Sequence, residues 1–155
     1  MRAVVQRVSR ARVVAGGEEA GSIGGGLCVL LSIGPEDDEA VAGRLAARVA
    51  TLRIFPDDQG RMNRDIAAAG GAVLVVSQFT LHADTSRGHR PSFIGAGPPA
   101  LAERLCTAFT NAIAARGLKV ATGRFGAHME VELVNDGPVT LVLTSGEGPW
   151  PADAG

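Results

Sequence analysis

The sequence predicts one α/β domain with about seven strands in mostly antiparallel or mixed sheets and two main helices. The chain has 155 residues, of which 46% are hydrophobic and 20% charged, a composition typical of one globular domain. Short runs of Val, Ile and Leu between glycine, proline or acidic residues indicate strands. Two longer segments repeat apolar residues about every 3.6 positions, which indicates amphipathic helices.

Turns and glycine-rich connections separate the expected strands. Gly16-Gly17-Glu18-Glu19 predicts a turn, and the segment 21–26 predicts a connection between strands. That segment has no Lys-Ser or Lys-Thr pair and precedes no helix, so it does not match a phosphate-binding loop. The segment 72–78 is the clearest strand, because five consecutive apolar residues predict burial of both faces. The expected strands are 1–9, 11–15, 27–33, 72–78, 118–121, 128–134 and 139–144.

Two helices follow from apolar periodicity and from their capping residues. Asp37 or Asp38 can cap the first helix, and its expected apolar face carries Val41, Leu45, Val49 and Leu52. Pro98-Pro99 opens the second helix, and Gly117 is its expected C′ residue. The second apolar stripe consists of Leu101, Leu105, Ala108, Phe109 and Ala112.

A long loop and a terminal tail complete the organisation of the chain. Residues 80–97 show little regular pattern, and loops of this length are usually functional or disordered. We expect the domain to cover residues 1–145 and residues 146–155 to form a loose tail.

Composition argues against several classes of protein. The longest apolar runs are far too short to cross a bilayer, and residues 1–8 lack the apolar block of a signal peptide. We therefore expect a cytoplasmic protein with no membrane partner. Cys28 and Cys106 lie far apart among apolar neighbours, which predicts buried free thiols. Cysteine and histidine spacings give a metal site no support.

Arginine is clustered although the formal net charge is −1. One group lies near the N-terminus, one includes Arg87, His89 and Arg90, and one includes Lys119 and Arg124. Such local basic faces can hold a phosphate backbone, but a solvated surface of mixed charge explains them equally well.

Polar residues with chemical potential lie at the end of the strand 72–78 and in the loop after it. They are Ser77, Gln78, Thr80, Asp84, Thr85, Arg87 and Arg90. The local sequence Val-Ser-Gln-Phe-Thr differs from the Gly-x-Ser-x-Gly of a nucleophile elbow, and no general base adjoins either hydroxyl. This absence favours hydrolysis of an activated ester by positioning and by backbone donors.

A Gly-Pro pair, Gly137-Pro138, separates two strand-like runs near the end of the chain. By itself such a pair predicts a tight turn between antiparallel strands. Glycine has no side chain and proline has no N–H, so the pair also offers a nearly bare stretch of backbone to a neighbour or ligand.

Short motifs occur in order along nearly the whole chain. They are Gln6-Arg7-Val8, Gly70-Gly71, Ser77-Gln78-Phe79-Thr80-Leu81, Ala83-Asp84-Thr85, Arg87-Gly88, Arg90-Pro91-Ser92-Phe93, Thr122-Gly123-Arg124-Phe125 and Asn135-Asp136-Gly137-Pro138-Val139-Thr140. In this order and spacing they resemble the bacterial D-aminoacyl-tRNA deacylases. About the last ten residues, with Pro149-Trp150-Pro151, fall outside the resemblance.

The resemblance implies the fold of that family and a homodimeric hydrolase without metal or cofactor. Its substrates would be D-aminoacyl-tRNA and glycyl-tRNA, including glycine mischarged on tRNA(Ala), with no DNA partner. The enzyme would cleave the ester to the terminal ribose and release free tRNA.

The resemblance also implies the residues of the site. Ser77, Gln78, Phe79 and Thr80 would form the catalytic pocket. Gly137-Pro138 would be a cis peptide that enters the pocket of the partner subunit, and the substrate-binding set would comprise Gly137, Pro138, Arg7, Phe125 and Met129. Arg7 would support the Gly-Pro geometry. A rigid backbone wall placed where an L side chain must project excludes every L residue at once and cannot exclude glycine.

Three other interpretations remain open at this point. One is a sibling tRNA deacylase with a trans Gly-Pro pair and a different pocket segment. Another is a non-catalytic RNA-binding module that uses the arginine groups. The third is an esterase with a hydroxyl nucleophile, which would trap a covalent acyl-enzyme. The resemblance allows either Thr80 as nucleophile or assistance by the ribose 2′-OH, and we favour the second because no base adjoins Thr80.

Overall fold

One long strand, β1, organises the fold and pairs with three other strands. The computed structural model describes residues 1–145, so the expected tail lies outside the described residues. In chain order the elements are β1 Arg2–Ala15, β2 Glu18–Ile23, β3 Gly26–Ser32, α1 Glu39–Ala50, β4 Phe55–Pro56, β5 Met62–Arg64, β6 Ala72–Ser77, a 3₁₀ turn Phe79–His82, α2 Pro99–Ala114, β7 Lys119–Thr122 and β8 Met129–Thr144.

The main sheet mixes antiparallel and parallel pairs. β1 pairs antiparallel with β2, β3 and β8, whereas β6 pairs parallel with β3 and with β7. The path through the sheet is β2-β1-β3-β6-β7, with β8 added beside β1. The prediction of an α/β domain with a mixed sheet and two main helices is confirmed. The small β4-β5 hairpin lies between α1 and β6, where the sequence predicted no strand.

The prediction of separate strands at 1–9 and 11–15 is wrong, because both belong to β1. Val8 pairs with Asn135 and Arg10 pairs with Val134, so Ser9 is an extra residue in β1. Such a bulge reverses which side chains face each side of a strand. The apparent break in the sequence pattern is therefore a change of phase within one strand.

The predicted turn at Gly137-Pro138 is also wrong, because both flanking runs belong to the single strand β8. Residues 140–144 pair with 6–2 of β1, and residues 129–135 pair with 15–8. The segment 136–139 faces Arg7 alone and bulges out of the ladder. The predicted connection at 21–26 likewise begins too early, because β2 extends to Ile23.

Two apolar cores lie on opposite faces of the sheet. Successive residues of a strand point to opposite faces, and β3 and β6 contribute to both cores. The core beneath α1 and α2 includes Leu27, Val29, Val73, Val75, Leu105 and Phe109. The opposite core includes Val8, Ala11, Val13, Cys28, Leu74 and Val76. Four consecutive β6 residues, 73–76, are buried, which confirms the prediction that both faces are covered.

The helices agree with the sequence pattern except at their edges. Asp38 caps α1, and its carboxylate accepts a hydrogen bond from the Val41 N–H at 2.8 Å. The predicted stripe residues of α1 and α2 pack on the first core, together with buried alanines in α1 and Ile113 in α2. The C-cap of α2 is Ala115, so C′ is Arg116, and Gly117, with φ of 80°, lies one position further along than predicted. In the described part of the chain, neither helix is long and apolar enough to span a membrane.

Candidate active site

An open groove of about 710 Å³ lies at the carboxyl ends of the parallel strands β3 and β6. Such strand ends are the usual ligand-binding position of α/β sheets. Leu31, Ser32 and Ile33 form its floor with the end of β6, and the start of α2 forms one wall. The segment 125–131 forms the other wall. The lining is mainly apolar, with a small number of polar groups, as in pockets for small organic ligands.

The end of β6 delivers three predicted site residues to the groove. Ser77, Gln78 and Phe79 all line it. The Gln78 N–H donates to the Leu31 carbonyl at 2.8 Å, which continues the parallel pairing for one residue beyond β6. The chain then enters the 3₁₀ turn, so Phe79 lies at the mouth of the groove with 56% of its surface exposed. Phe125 and Met129, predicted to bind substrate, line the opposite wall.

Thr80 lies at the rim and does not line the groove. Its side chain is exposed, and its Oγ1 accepts a hydrogen bond from the Gln78 side-chain amide. Within residues 1–145, no carboxylate or imidazole makes a hydrogen bond to Thr80 Oγ1. The Thr80 hydroxyl therefore has no general base beside it.

Arg7 and the Gly-Pro pair form a second group on the β1-β8 ladder. Arg7 is 8% exposed, and its Nε donates to the Asp136 carbonyl at 3.0 Å while another guanidinium nitrogen donates to the Ile54 carbonyl. The Gly137-Pro138 peptide bond is cis, and both residues are exposed.

No side chain fits at Gly137. Its φ is 133°, and a Cβ there would lie 2.9 Å from the Val139 nitrogen and 3.2 Å from an Arg7 guanidinium nitrogen. Gly137 and Pro138 do not line the groove of their own chain. The structure therefore separates the predicted site residues into a groove set and a Gly-Pro set.

Three residues in or beside the groove had no assigned role in the sequence analysis. Phe93 packs edge-to-face on Phe79, with ring centroids 5.0 Å apart at 73°. Buried Ser32 makes a 2.6 Å hydrogen bond to His82 Nδ1 and holds the 3₁₀ turn against β3. Burial lowers the pKa of His82, with a smaller contribution from Arg2. Sequence spacing gives no signal for this pair, because 50 residues separate its members.

The two cysteines form no disulfide with each other and pack among apolar residues. Cys28 belongs to the second core, and Cys106 lines the groove. Both are free thiols, and burial raises the pKa of each to about 11. The prediction of free thiols is confirmed, although Cys106 is only partly buried. Across residues 1–145, no three His, Cys, Asp or Glu side chains gather in a way that could hold a metal ion.

Comparison with known proteins decides the family. The family model described as D-Tyr-tRNA(Tyr) deacylase matches residues 4–144. The chain belongs to this deacylase family. The resemblance found in the sequence is thereby confirmed, and so is the prediction of a hydrolase that acts on the ester bond of aminoacyl-tRNA.

Similar proteins cover almost the whole chain. A D-aminoacyl-tRNA deacylase of Symbiobacterium thermophilum is 60% identical over 94% of this chain and 96% of its own length. One from Deinococcus radiodurans is 56% identical over 92% and 99%. A solved structure titled c-Myc DNA Unwinding Element Binding Protein matches with a TM-score of 0.87 and 39% identity over 94% of this chain and 99% of that chain.

A more distant solved structure shares only the fold. It is titled as a probable eukaryotic D-amino acid tRNA deacylase and matches with a TM-score of 0.79 at 14% identity. The match covers 92% of this chain and 97% of that chain. The sheet and helices of the deacylase family therefore account for nearly all of the residues that the structure describes.

Proposed function

We propose that this deacylase hydrolyses the ester between a D-amino acid, or glycine, and the terminal ribose of tRNA. The observation that carries the proposal is the groove that collects Ser77, Gln78, Phe79, Phe125 and Met129 in one place. Curated relatives at 53–60% identity are named D-aminoacyl-tRNA deacylase, which supports the same substrate class.

Hydrolysis proceeds here without a protein nucleophile. The Thr80 hydroxyl is exposed and bonded to an amide, which cannot take its proton. The substrate brings its own hydroxyl, the ribose 2′-OH, next to the ester carbonyl. The groove positions the ester so that this hydroxyl assists the attack of water, and positioning supplies much of the rate enhancement.

The working enzyme is a homodimer in which each Gly137-Pro138 enters the groove of the partner subunit. Both residues are exposed within one chain and lie outside its own groove. β8 pairs only with β1 in the described chain, so its other edge has free backbone groups. Exposed Val131, Val134 and Val142 on β8 add apolar surface for a second copy.

Selectivity follows from the backbone of the Gly-Pro pair. A wall of backbone atoms does not depend on side-chain chemistry, so it excludes L residues of every kind by shape. Arg7 holds this wall through the Asp136 carbonyl next to Gly137. Glycine has no side chain that could meet the wall, so glycyl-tRNA is also a substrate.

Matched D-tyrosyl-tRNA, L-tyrosyl-tRNA and glycyl-tRNA test the activity. We expect release of D-tyrosine and glycine but not of L-tyrosine, with and without a chelator. Equal rates on the D and L esters contradict the proposal, and binding without hydrolysis supports an RNA-binding module instead.

Mixed dimers test the exchange of the Gly-Pro pair. Ser77→Trp blocks the groove, and Gly137→Trp displaces the wall. Each variant alone should be inactive, whereas co-expression of both should restore activity, because one site of each mixed dimer then has an intact groove and an intact partner segment. Failure to restore activity in isolated mixed dimers contradicts a site shared between subunits.

A further inference from the structure

A short loop beside the groove is exposed, yet its own hydrogen bonds give it a defined shape. This arginine loop comprises residues 84–92. Its two ends pair through backbone hydrogen bonds, from the Asp84 N–H to the Ser92 carbonyl at 2.8 Å and from the Ser92 N–H to the Asp84 carbonyl at 2.9 Å. These bonds close the base of the loop like the last rung of a hairpin.

Further hydrogen bonds fix the tip. The Asp84 carboxylate accepts from the Ser86 N–H at 2.9 Å, and this bond lowers the pKa of Asp84. The Gly88 N–H donates to the Thr85 carbonyl at 3.3 Å, and Gly88 has φ of 141°. The Asp84 carboxylate is therefore hydrogen-bonded to the backbone of the loop. The tip of the loop forms a defined turn.

The side chains at the tip are basic and exposed. Arg87, His89 and Arg90 are all exposed. The arginines that form ion pairs between described residues are Arg7, Arg12, Arg61, Arg64, Arg104 and Arg124, so neither Arg87 nor Arg90 is among them. Two guanidinium groups without a carboxylate partner in residues 1–145 thus extend from one hydrogen-bonded tip. A guanidinium can bind a phosphate through two parallel N–H bonds.

The arginine loop lies directly beside the mouth of the groove. Ser92, at its base, is followed by Phe93, which packs on Phe79 at the mouth of the groove. Three residues span at most about 10 Å, so Arg90 lies within that distance of Phe93 along the backbone. This distance suits a nucleotide chain that leaves the mouth of the groove.

We propose that Arg87 and Arg90 bind the phosphates immediately upstream of the terminal nucleotide of the tRNA acceptor end. This inference rests on the proposed function and adds the contact that separates tRNA from a small ester. The arginine loop holds the single-stranded end by its backbone while the amino acid occupies the groove. Such contacts carry no sequence information and depend on salt.

The test compares Arg87→Gln/Arg90→Gln with the charge-matched control Arg44→Gln/Arg48→Gln, which removes two exposed arginines from α1. We expect kcat/KM on D-tyrosyl-tRNA to fall about tenfold or more only in the loop variant, because hydrogen bonds to charged groups are lost. Two lost phosphate contacts should also reduce the slope of log kcat/KM against log salt by about 1.4. An unchanged rate and salt slope overturn the inference.

A phosphate-free ester separates this inference from the proposed function. On 3′-O-D-tyrosyl-adenosine, we expect the loop variant to retain the wild-type kcat/KM, since no upstream phosphate is present. An equal loss on this ester and on tRNA shows a general defect and overturns the inference. If the wild-type protein cleaves D-tyrosyl-tRNA but not the small ester, the salt dependence of kcat/KM on D-tyrosyl-tRNA decides whether the arginine loop binds the phosphates. A wild type without activity on D-tyrosyl-tRNA contradicts the proposed function, and the salt slope of binding to a short single-stranded RNA then decides on the loop.

Discussion

Replacing Arg7 should destabilise the fold and disturb the Gly-Pro segment at the same time. The guanidinium is buried and donates to the carbonyls of Asp136 and Ile54, which lie on different parts of the chain. Arg7→Met fills much of the same volume but removes both bonds. A lysine at this position keeps the charge, but its single ammonium cannot reproduce the fixed arrangement of N–H donors on the guanidinium.

The size of the effect follows from these two bonds. A buried acceptor left without a donor costs about 1–3 kcal/mol, so Arg7→Met should lower the free energy of unfolding by about 3 kcal/mol. The contact between Arg7 and the Asp136 carboxylate adds little, because that carboxylate is 54% exposed. Arg7→Lys should cost about half as much, since one of the two bonds is kept.

Urea unfolding at fixed protein concentration measures the change. With an m-value of about 2 kcal/mol/M, a loss of 3 kcal/mol lowers the midpoint by roughly 1.5 M. The matched control is Arg12→Met, because Arg12 makes an exposed ion pair with Glu132, and exposed ion pairs contribute little to stability. If Arg7→Met unfolds at the same urea midpoint as the Arg12→Met control, the role given to the buried bonds is refuted.

Activity gives a second measurement on the same variants. Arg7→Lys should lose more deacylation than its modest loss of stability explains, because the Asp136 carbonyl that it holds adjoins Gly137. Full activity in folded Arg7→Lys would show that the Gly-Pro segment keeps its place without the guanidinium.

Other predictions test single residues of the site and the core. Thr80→Ala should retain most of the wild-type kcat, because its hydroxyl has no base, and a covalent acyl adduct on Thr80 in a quenched reaction would reverse this view. Gly137→Ala should lose deacylation, since its Cβ would approach Val139 and Arg7 too closely, while Gly17→Ala, in the turn between β1 and β2, has a positive φ and open space and controls for a side chain at a positive φ. The folded pKa of His82 is lowered, so between its folded and unfolded pKa values the unfolded chain binds more protons and stability rises with pH. Urea midpoints should therefore fall as pH drops below about 6.5, and His82→Gln should reduce this dependence. Iodoacetamide should modify Cys106 at pH 8 far more slowly in folded than in urea-unfolded protein, because burial raises the pKa of the folded thiol to about 11, and equal rates would contradict its burial at the groove.

The sequence was sufficient where apolar periodicity and capping residues acted locally. The buried strand at β6, the Asp38 cap and the core face of both helices follow from near neighbours. It was insufficient at β1 and β8, where the deciding interactions are with a distant strand. An extra residue at Ser9 and a bulge opposite Arg7 look like strand ends in sequence, because only the partner strand shows that pairing resumes.

The grouping of residues in the candidate groove was predictable from the sequence, whereas their supporting contacts were not. Ser77, Gln78 and Phe79 follow directly from the end of a buried strand. The Ser32–His82 bond and the Phe79–Phe93 pair depend on how the loop after β6 folds back, which no local pattern encodes. The placement of Thr80 at the rim likewise needs the 3₁₀ turn.

Because of the bulge opposite Arg7, the fold and the Gly-Pro segment should tolerate insertions and deletions to different degrees. Both halves of β8 are held in register by the same strand, so neither half can slip without turning its side chains to the wrong face. A gain or loss of one residue at 136–139 must therefore be absorbed within the bulge itself. The sheet can accommodate such a change in length, but the change would alter the direction in which Gly137-Pro138 points. Selection on this segment should act on its length as strictly as on its two small residues.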